Sequence, residues 1–224
     1  MTPHLLKIKI ECFYQHMRTT NPLFLNAKNG KLGPKHIVKY LSNIHFLVAH
    51  TPIHLHQALE RSKLSGQEDL SNYYEKKIPE EQGHDQWAID GLSKLNENQG
   101  LSLFKNILPT MKKLVEYNQK MIQKDPLSYL SYIFFSEYFT VLGAEEWLND
   151  LEIKCGIPKS MMSIIGNHAT LDKDHIQEDL KILKKITENN PSTAQAHTKS
   201  LIHELETSML NFEHFCTEVG ALAA

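Results

Sequence analysis

The stretch MMSIIGNHATLDKDHIQEDLKIL, Met161 to Leu183, decides the reading of the whole chain. At about 100° per residue, Met161, Ile164, Ile165, Leu171, Ile176 and Leu183 fall on one side of a helix. Lys173, Asp174, Gln177 and Lys181 fall on the other. His168, Asp172 and His175 break this order. They sit within the apolar side, inside an arc of roughly 60°, in the spacing His-x3-Asp-x2-His. The helix therefore has an ordinary solvent face and three ligand-type side chains in its core face.

Two further helices repeat the anomaly. From Leu127 to Ala144 the chain is apolar nearly all round, with Phe134, Phe135, Tyr138, Phe139 and Leu142, which suits the centre of a bundle. Glu137 is the only charged residue in that span. A buried carboxylate without a partner costs several kcal/mol or takes up a proton. Arg18 and Arg61 are the only arginines, so compensation falls to a metal cation or to a lysine. The third element is Glu80-Glu81-Gln82-Gly83-His84. Its Glu81 and His84, spaced Glu-x2-His, share a helical face with Tyr74, Ile78, Ala88 and Leu92 and reach one point from adjacent turns.

Glu81, His84, Glu137, His168, Asp172 and His175 are thus the candidate ligands, with Glu80 as an alternative to Glu81. Three carboxylates and three imidazoles can bind two divalent ions with carboxylates bridging, and their charge of −3 is then neutralised. Nitrogen and oxygen donors favour iron, with manganese as the alternative, over the thiolate-rich sites of zinc. Each motif alone has an ordinary explanation: a solvated helix face, a salt bridge, a core histidine held by an aspartate. Three together, on core faces of three helices, favour metal.

Helical periodicity covers nearly the whole chain, and no strand-and-turn pattern emerges. Helices are expected over Pro3–Arg18, from Pro34 to about Ala49, and again from Thr51-Pro52. Thr19 to Gly33 reads as a long connection. Next come Glu68–Asn96, kinked or restarted at Pro79, a turn at Asn98–Leu101, and Leu103–Lys124, interrupted at Pro109. Pro126–Lys154 closes at Gly156-Ile157-Pro158, Lys159–Ile186 at Asn189-Asn190-Pro191, and Ser192–Val219 is last. The expectation is one all-α domain over residues 1–224, a bundle of seven to eight helices.

With 24 basic and 26 acidic residues the chain offers no electrostatic case for nucleic acid or an anionic membrane surface. Its longest low-charge segment, Pro126 to Ala144, contains Glu137 and suits a core helix better than a membrane span. No signal peptide is read over Met1–Lys9. Cys12, Cys155 and Cys216 are odd in number and far apart, which suggests no disulfide framework and a cytoplasmic location. Of His45, His50, His54 and His56, most are expected to serve packing or the surface. Tyr129, Tyr132 and Tyr138 flank the proposed site, and Asp179 is expected to support Asp172 from two turns further along.

His168-x3-Asp172-x2-His175, an upstream Glu137 in an aromatic helix, and Glu81-x2-His84 followed by Trp87 and Asp90-Gly91-Leu92 resemble the haem-oxygenase-like di-iron oxidases. The resemblance implies a haem-oxygenase-like, TenA-like helical fold without haem, often dimeric, with two iron ions that activate dioxygen to oxidise a small organic substrate. It implies that Glu81, His84 and Glu137 form one ligand group and that His168, Asp172 and His175 supply the other. Other branches of the fold are the alternatives: a non-catalytic metal or small-ligand binding protein, or a metal-independent hydrolase or oxidase. The thiaminase-like hydrolases need a catalytic cysteine near carboxylates, and the cysteines here carry no such signature. Haem oxygenases use an axial histidine in the first helix, for which His4 and His16 are available.

Overall fold

Prolines and side-chain caps set the helix ends. The computed structural model describes residues 2–96, 107–188 and 191–222, and among these the chain is helical with no strand. In order, the helices are α1 (Thr2–Thr20), α2 (Pro22–Lys28), α3 (Pro34–Leu64), α4 (Glu68–Glu81) and α5 (Asp85–Asn96). There follow α6 (Pro109–Lys124), α7 (Pro126–Cys155), a 3-10 turn (Lys159–Met162), α8 (Ser163–Glu188) and α9 (Pro191–Gly220).

Helix α7 is the axis of the bundle. The Asp125 carboxylate accepts the Leu127 N–H at 3.1 Å, and Pro126 fills the first turn, where its missing N–H costs nothing. Gly156 ends the helix in the left-handed region at φ 69°. Between these ends Leu130, Phe134 and Leu151 are fully buried, each contributing about 1.5–3 kcal/mol by leaving water. Helix α8 packs along α7 more extensively than any other pair meets, with α1, α2, α6 and α9 also against α7. Helix α3 carries α4, α5 and α6 on its other contacts.

Several expected boundaries shift. The connection over Thr19–Gly33 contains α2, because Asn21 accepts the Leu23 N–H at 3.0 Å and Pro22 starts a helix where a turn is expected. Helix α3 runs unbroken through Pro52, since Ile44, Leu55 and Ala58 bury one continuous face on either side of it. The long helix over Glu68–Asn96 divides at Gln82–His84 and not at Pro79: Gly83 takes φ 85°, a backbone that side chains resist. Pro109 begins α6 instead of interrupting it. The turn expected at Asn98–Leu101 and the start of the helix from Leu103 lie outside the described residues, as does the stop at Asn189-Asn190.

One close approach fixes α5 against the 3-10 turn that precedes α8. A Cβ on Gly91 would lie 2.2 Å from the Met161 carbonyl oxygen, so only glycine lets the helix come this near. No helix of the described residues is long and apolar enough to cross a membrane.

Candidate metal centre

Three helices and one turn deliver the candidate ligands to one buried chamber. Helix α4 ends on Glu81, His84 follows in the Gly83 turn, α7 supplies Glu137, and α8 supplies His168, Asp172 and His175. Glu81 is 7 % exposed, Glu137 6 % and Asp172 2 %. His168 and His175 are only partly buried, and Leu171, expected on the apolar face, is 42 % exposed. Helix α8 is thus turned so that Asp172 points inward most directly.

The ligand atoms form two sets that share one carboxylate. Glu81, His84 and His168 make the first; Glu81, Glu137 and His175 make the second. Within each set the donor atoms lie within 4.8 Å of one another. An ion with bonds of about 2.1 Å holds its ligands within roughly 4 Å, so small side-chain adjustments close either set on a cation. Glu81 Oε2 stands 3.2 Å from His84 Nδ1. His84 stacks on Trp87 at 4.1 Å between ring centroids and meets the His168 ring edge-on at 5.0 Å. The Nδ1 of His168 lies 2.7 Å from the Ile164 carbonyl, which can only accept. That hydrogen bond puts the proton on Nδ1 and leaves Nε2 its lone pair for a metal.

Asp172 belongs to neither set. Its Oδ1 lies 3.4 Å from His175 Nδ1, which places it as the partner that orients that ring. Of the two neighbouring acids, Glu81 is the buried one that joins both sets. Glu80 is ion-paired with Lys76 at 3.8 Å and reaches His175 Nε2 at 3.6 Å.

The chamber already holds one cation. Lys77 Nζ lies 2.5 Å from Glu137 Oε1, with its side chain 2 % exposed. Lysine, one of the two compensations open at the sequence level, is therefore present. Burial works to lower the Lys77 ammonium, but the carboxylates of Glu137, Asp179 and Glu81 outweigh it and hold it charged. Burial pushes the Glu137 carboxyl well above the usual range, Asp179 adds to this, and Lys77 opposes it. Asp172 and Asp179 are likewise raised by burial, against the pull of His175 and Lys77 respectively. Burial also opposes Glu81, yet His84 and His168 bring its carboxyl below the ordinary value. His175 is raised by Asp172.

Donor chemistry fits a divalent cation. Glu137 Oε2, Asp172 Oδ1, His175 Nδ1 and Asp179 Oδ2 are buried polar atoms without a well-made hydrogen bond. Buried polar atoms rarely stay unpaired, and here four of them cluster around two sets of metal-type ligands.

A cavity of about 120 Å³ opens beside the centre. Its charged wall is Lys77, Glu81, Glu137, His168 and Asp172; the rest is mainly apolar and aromatic. A smaller lobe of about 40 Å³ shares Tyr40, Phe139, Thr140, Ile165 and Phe212 with it and has no charged lining. One stripe of α7 walls both lobes: Tyr129, Ile133, Ser136, Thr140, Gly143 and Trp147, in alternating steps of four and three. At 1.5 Å per residue that stripe rises about 27 Å.

The residues beyond the ligand set divide clearly. Tyr129 and Tyr132 line the cavity, whereas the Tyr138 hydroxyl turns away and donates to Glu11 at 2.6 Å. Asp179 is fully buried and accepts from Tyr73 at 2.6 Å. His45 faces Asp85 at 3.6 Å, His50 bonds the Phe46 carbonyl, His54 is buried and His56 exposed. His4 and His16 are both exposed, and His16 pairs with Glu213 at 2.8 Å. Lys77 is the residue that sequence reasoning did not single out. Its signal was the series Leu70, Tyr74, Lys77, Glu81, whose helical spacing places a lysine on a buried face.

No family model and no curated protein matches this sequence. Solved structures do. A domain of unknown function with a haem oxygenase-like fold from Shewanella denitrificans is 18 % identical, with a TM-score of 0.81 over 96 % of this chain and 90 % of its own. A CADD-like protein of unknown function from Nostoc punctiforme is 13 % identical, with a TM-score of 0.67 over 94 % of each chain. A TenA homologue from Pseudomonas syringae pv. tomato is 14 % identical, with a TM-score of 0.65 over 96 % of this chain and 92 % of its own. At these identities the likeness concerns architecture, and the chain has the all-helical haem-oxygenase-like fold.

Proposed function

We propose that the chain is a non-haem di-iron oxidase or oxygenase that uses dioxygen to oxidise a small, largely apolar organic molecule. The observation that carries this reading is the pair of ligand sets sharing Glu81 beside an apolar cavity. Glu81 would serve both ion positions, His84 and His168 would hold one, and Glu137 and His175 would hold the other. Asp172 fixes the His175 ring and is a further ligand within reach. When bound, two iron ions supply the electrons and Lewis acidity that dioxygen reduction needs.

The protein's own part is selection, orientation and exclusion of water. The aromatic and aliphatic walls take up the apolar body of a substrate and leave its reacting end at the charged wall. The combined space is comparable to a cavity of about 150 Å³ known to hold benzene, which points to a substrate of few heavy atoms. Cys216, which lines the smaller lobe, is fully buried, and burial pushes its thiol well up. That is the opposite of an activated nucleophile and weighs against a cysteine-dependent hydrolase.

The test is metal per chain after anaerobic loading with Fe(II), followed by the optical change on mixing with dioxygen. Two irons per chain with a transient visible absorption are expected. Negligible iron would remove the oxidase reading. Iron that binds but leaves dioxygen unconsumed would favour a metal carrier.

A further inference from the structure

The ammonium lodged among the carboxylates has a direct bearing on how the centre fills. Lys77 Nζ is 2.5 Å from Glu137 Oε1, and Asp179 and Glu81 face the same charge. Yet Nζ, Glu137 Oε2 and Asp179 Oδ2 make no well-directed hydrogen bond. Among the described residues Glu137 is the ammonium's one partner at contact distance, and Asp179 and Glu81 act on it through charge. Lys77 thus engages Glu137, a member of the second ligand set only. In the first set, the close contact is between two of its own members, Glu81 and His84 at 3.2 Å.

We propose that Lys77 is the internal counter-ion of the second ion position: it neutralises Glu137 while that position is empty, and a divalent cation binds Glu81, Glu137 and His175 only by displacing its ammonium. The inference rests on the metal-centre reading above. Glu137 Oε1, the oxygen that Lys77 holds, is also the one that faces His175 Nδ1, at 3.7 Å, and it cannot keep an ammonium at contact distance while coordinating an ion between them. The displaced lysine has a second seat, because the buried Asp179 carboxylate lies beside Glu137 and faces the same charge. A four-carbon stem allows that swing without moving α4. Loading is therefore stepwise. The set Glu81–His84–His168 fills first, and the second ion binds more weakly because it must break a buried ion pair.

Mn(II) titration under equilibrium dialysis tests this on the intact chain, with free Mn(II) followed by its electron paramagnetic resonance. Wild type should bind one ion tightly and a second at least about tenfold more weakly. Lys77→Met should tighten the second ion by about tenfold or more and leave the first little changed, and Lys77→Arg should keep the gap. Equal second-ion constants in wild type and Lys77→Met would overturn the counter-ion role, as would two equally tight ions in wild type; both leave the metal centre standing. Failure of wild type to bind Mn(II) or Fe(II) at all would remove the metal-centre reading and this inference with it. Should Lys77→Met not fold, a structure of Mn(II)-loaded wild type decides. Nζ moved from Glu137 towards Asp179 is the expected result, and a second ion bound beside an intact Lys77–Glu137 pair overturns it.

Discussion

Lys77 and Glu81 stand one turn apart on the same face of α4, so one helix delivers a cation and a carboxylate into the same buried chamber. The chamber's metal-free form thus contains a buried ion pair of its own, and its stability can be probed without any metal.

Removing Glu137 should be costly in that form. Glu137→Ala leaves Lys77 buried with only Asp179 and Glu81 nearby, and breaking a buried pair typically costs about 3–5 kcal/mol. A loss of about 3 kcal/mol is expected in urea unfolding of the metal-free protein. An unchanged midpoint would show that Asp179 alone suffices as the partner of Lys77.

Asp172 acts through His175, 3.4 Å away. Asp172→Ala should weaken metal binding by about ten- to a hundredfold, the usual effect of losing a group that orients a ligand. Far-UV circular dichroism should stay the same. Unchanged metal affinity in dialysis would remove Asp172 from the centre.

His54 gives a pH dependence unrelated to metal. Burial, with a smaller push from His50, lowers its pKa from 6.5 to about 4. Its folded-state pKa lies below the unfolded value, so its contribution is complete above about pH 6.5 and is lost as the pH falls towards 4. The whole effect is about 3 kcal/mol. Unfolding free energies measured from pH 7 to pH 4 should fall less steeply for His54→Gln than for wild type. Parallel curves would contradict the assignment.

Gly91→Ala places a methyl group 2.2 Å from the Met161 carbonyl, which is backbone and cannot swing aside. A destabilisation of about 1–3 kcal/mol is expected, typical of overpacking. Thermal unfolding reads it directly, and a melting point equal to wild type would mean that α5 can slide outward freely.

What the sequence makes legible follows from physics that is local. The apolar circumference of α7 announces a central helix, and the imidazoles and carboxylate of α8 stand out against a simple amphipathic pattern. The six candidate residues gather in one region because five lie near the middle or inner end of a helix and His84 sits in the turn directly after α4. Less legible were the features decided by tertiary contact. Pro52 usually breaks a helix, but the buried face shared by Ile44 and Ala58 carries α3 straight through it. Pro22 reads as part of a turn until the Asn21 cap is seen. The break at Gly83 depends on a positive φ that glycine permits but does not demand. Lys77 was hidden by habit, since lysine on a helix is usually solvated, and only the partners across the bundle show why this one is not.

The stripe of α7 has a consequence for how such a chain can change over evolutionary time. Tyr129, Ile133, Ser136, Thr140, Gly143 and Trp147 hang from one unbroken helix beside Glu137. Substitutions there alter the cavity one wall at a time. A single inserted or deleted residue between Leu130 and Ser136 would instead rotate everything downstream by about 100°, turning Glu137 and the far walls away together. Variation along this helix is therefore free in spelling and fixed in length, and lineages that reshape the cavity should show replacements in this segment without gaps.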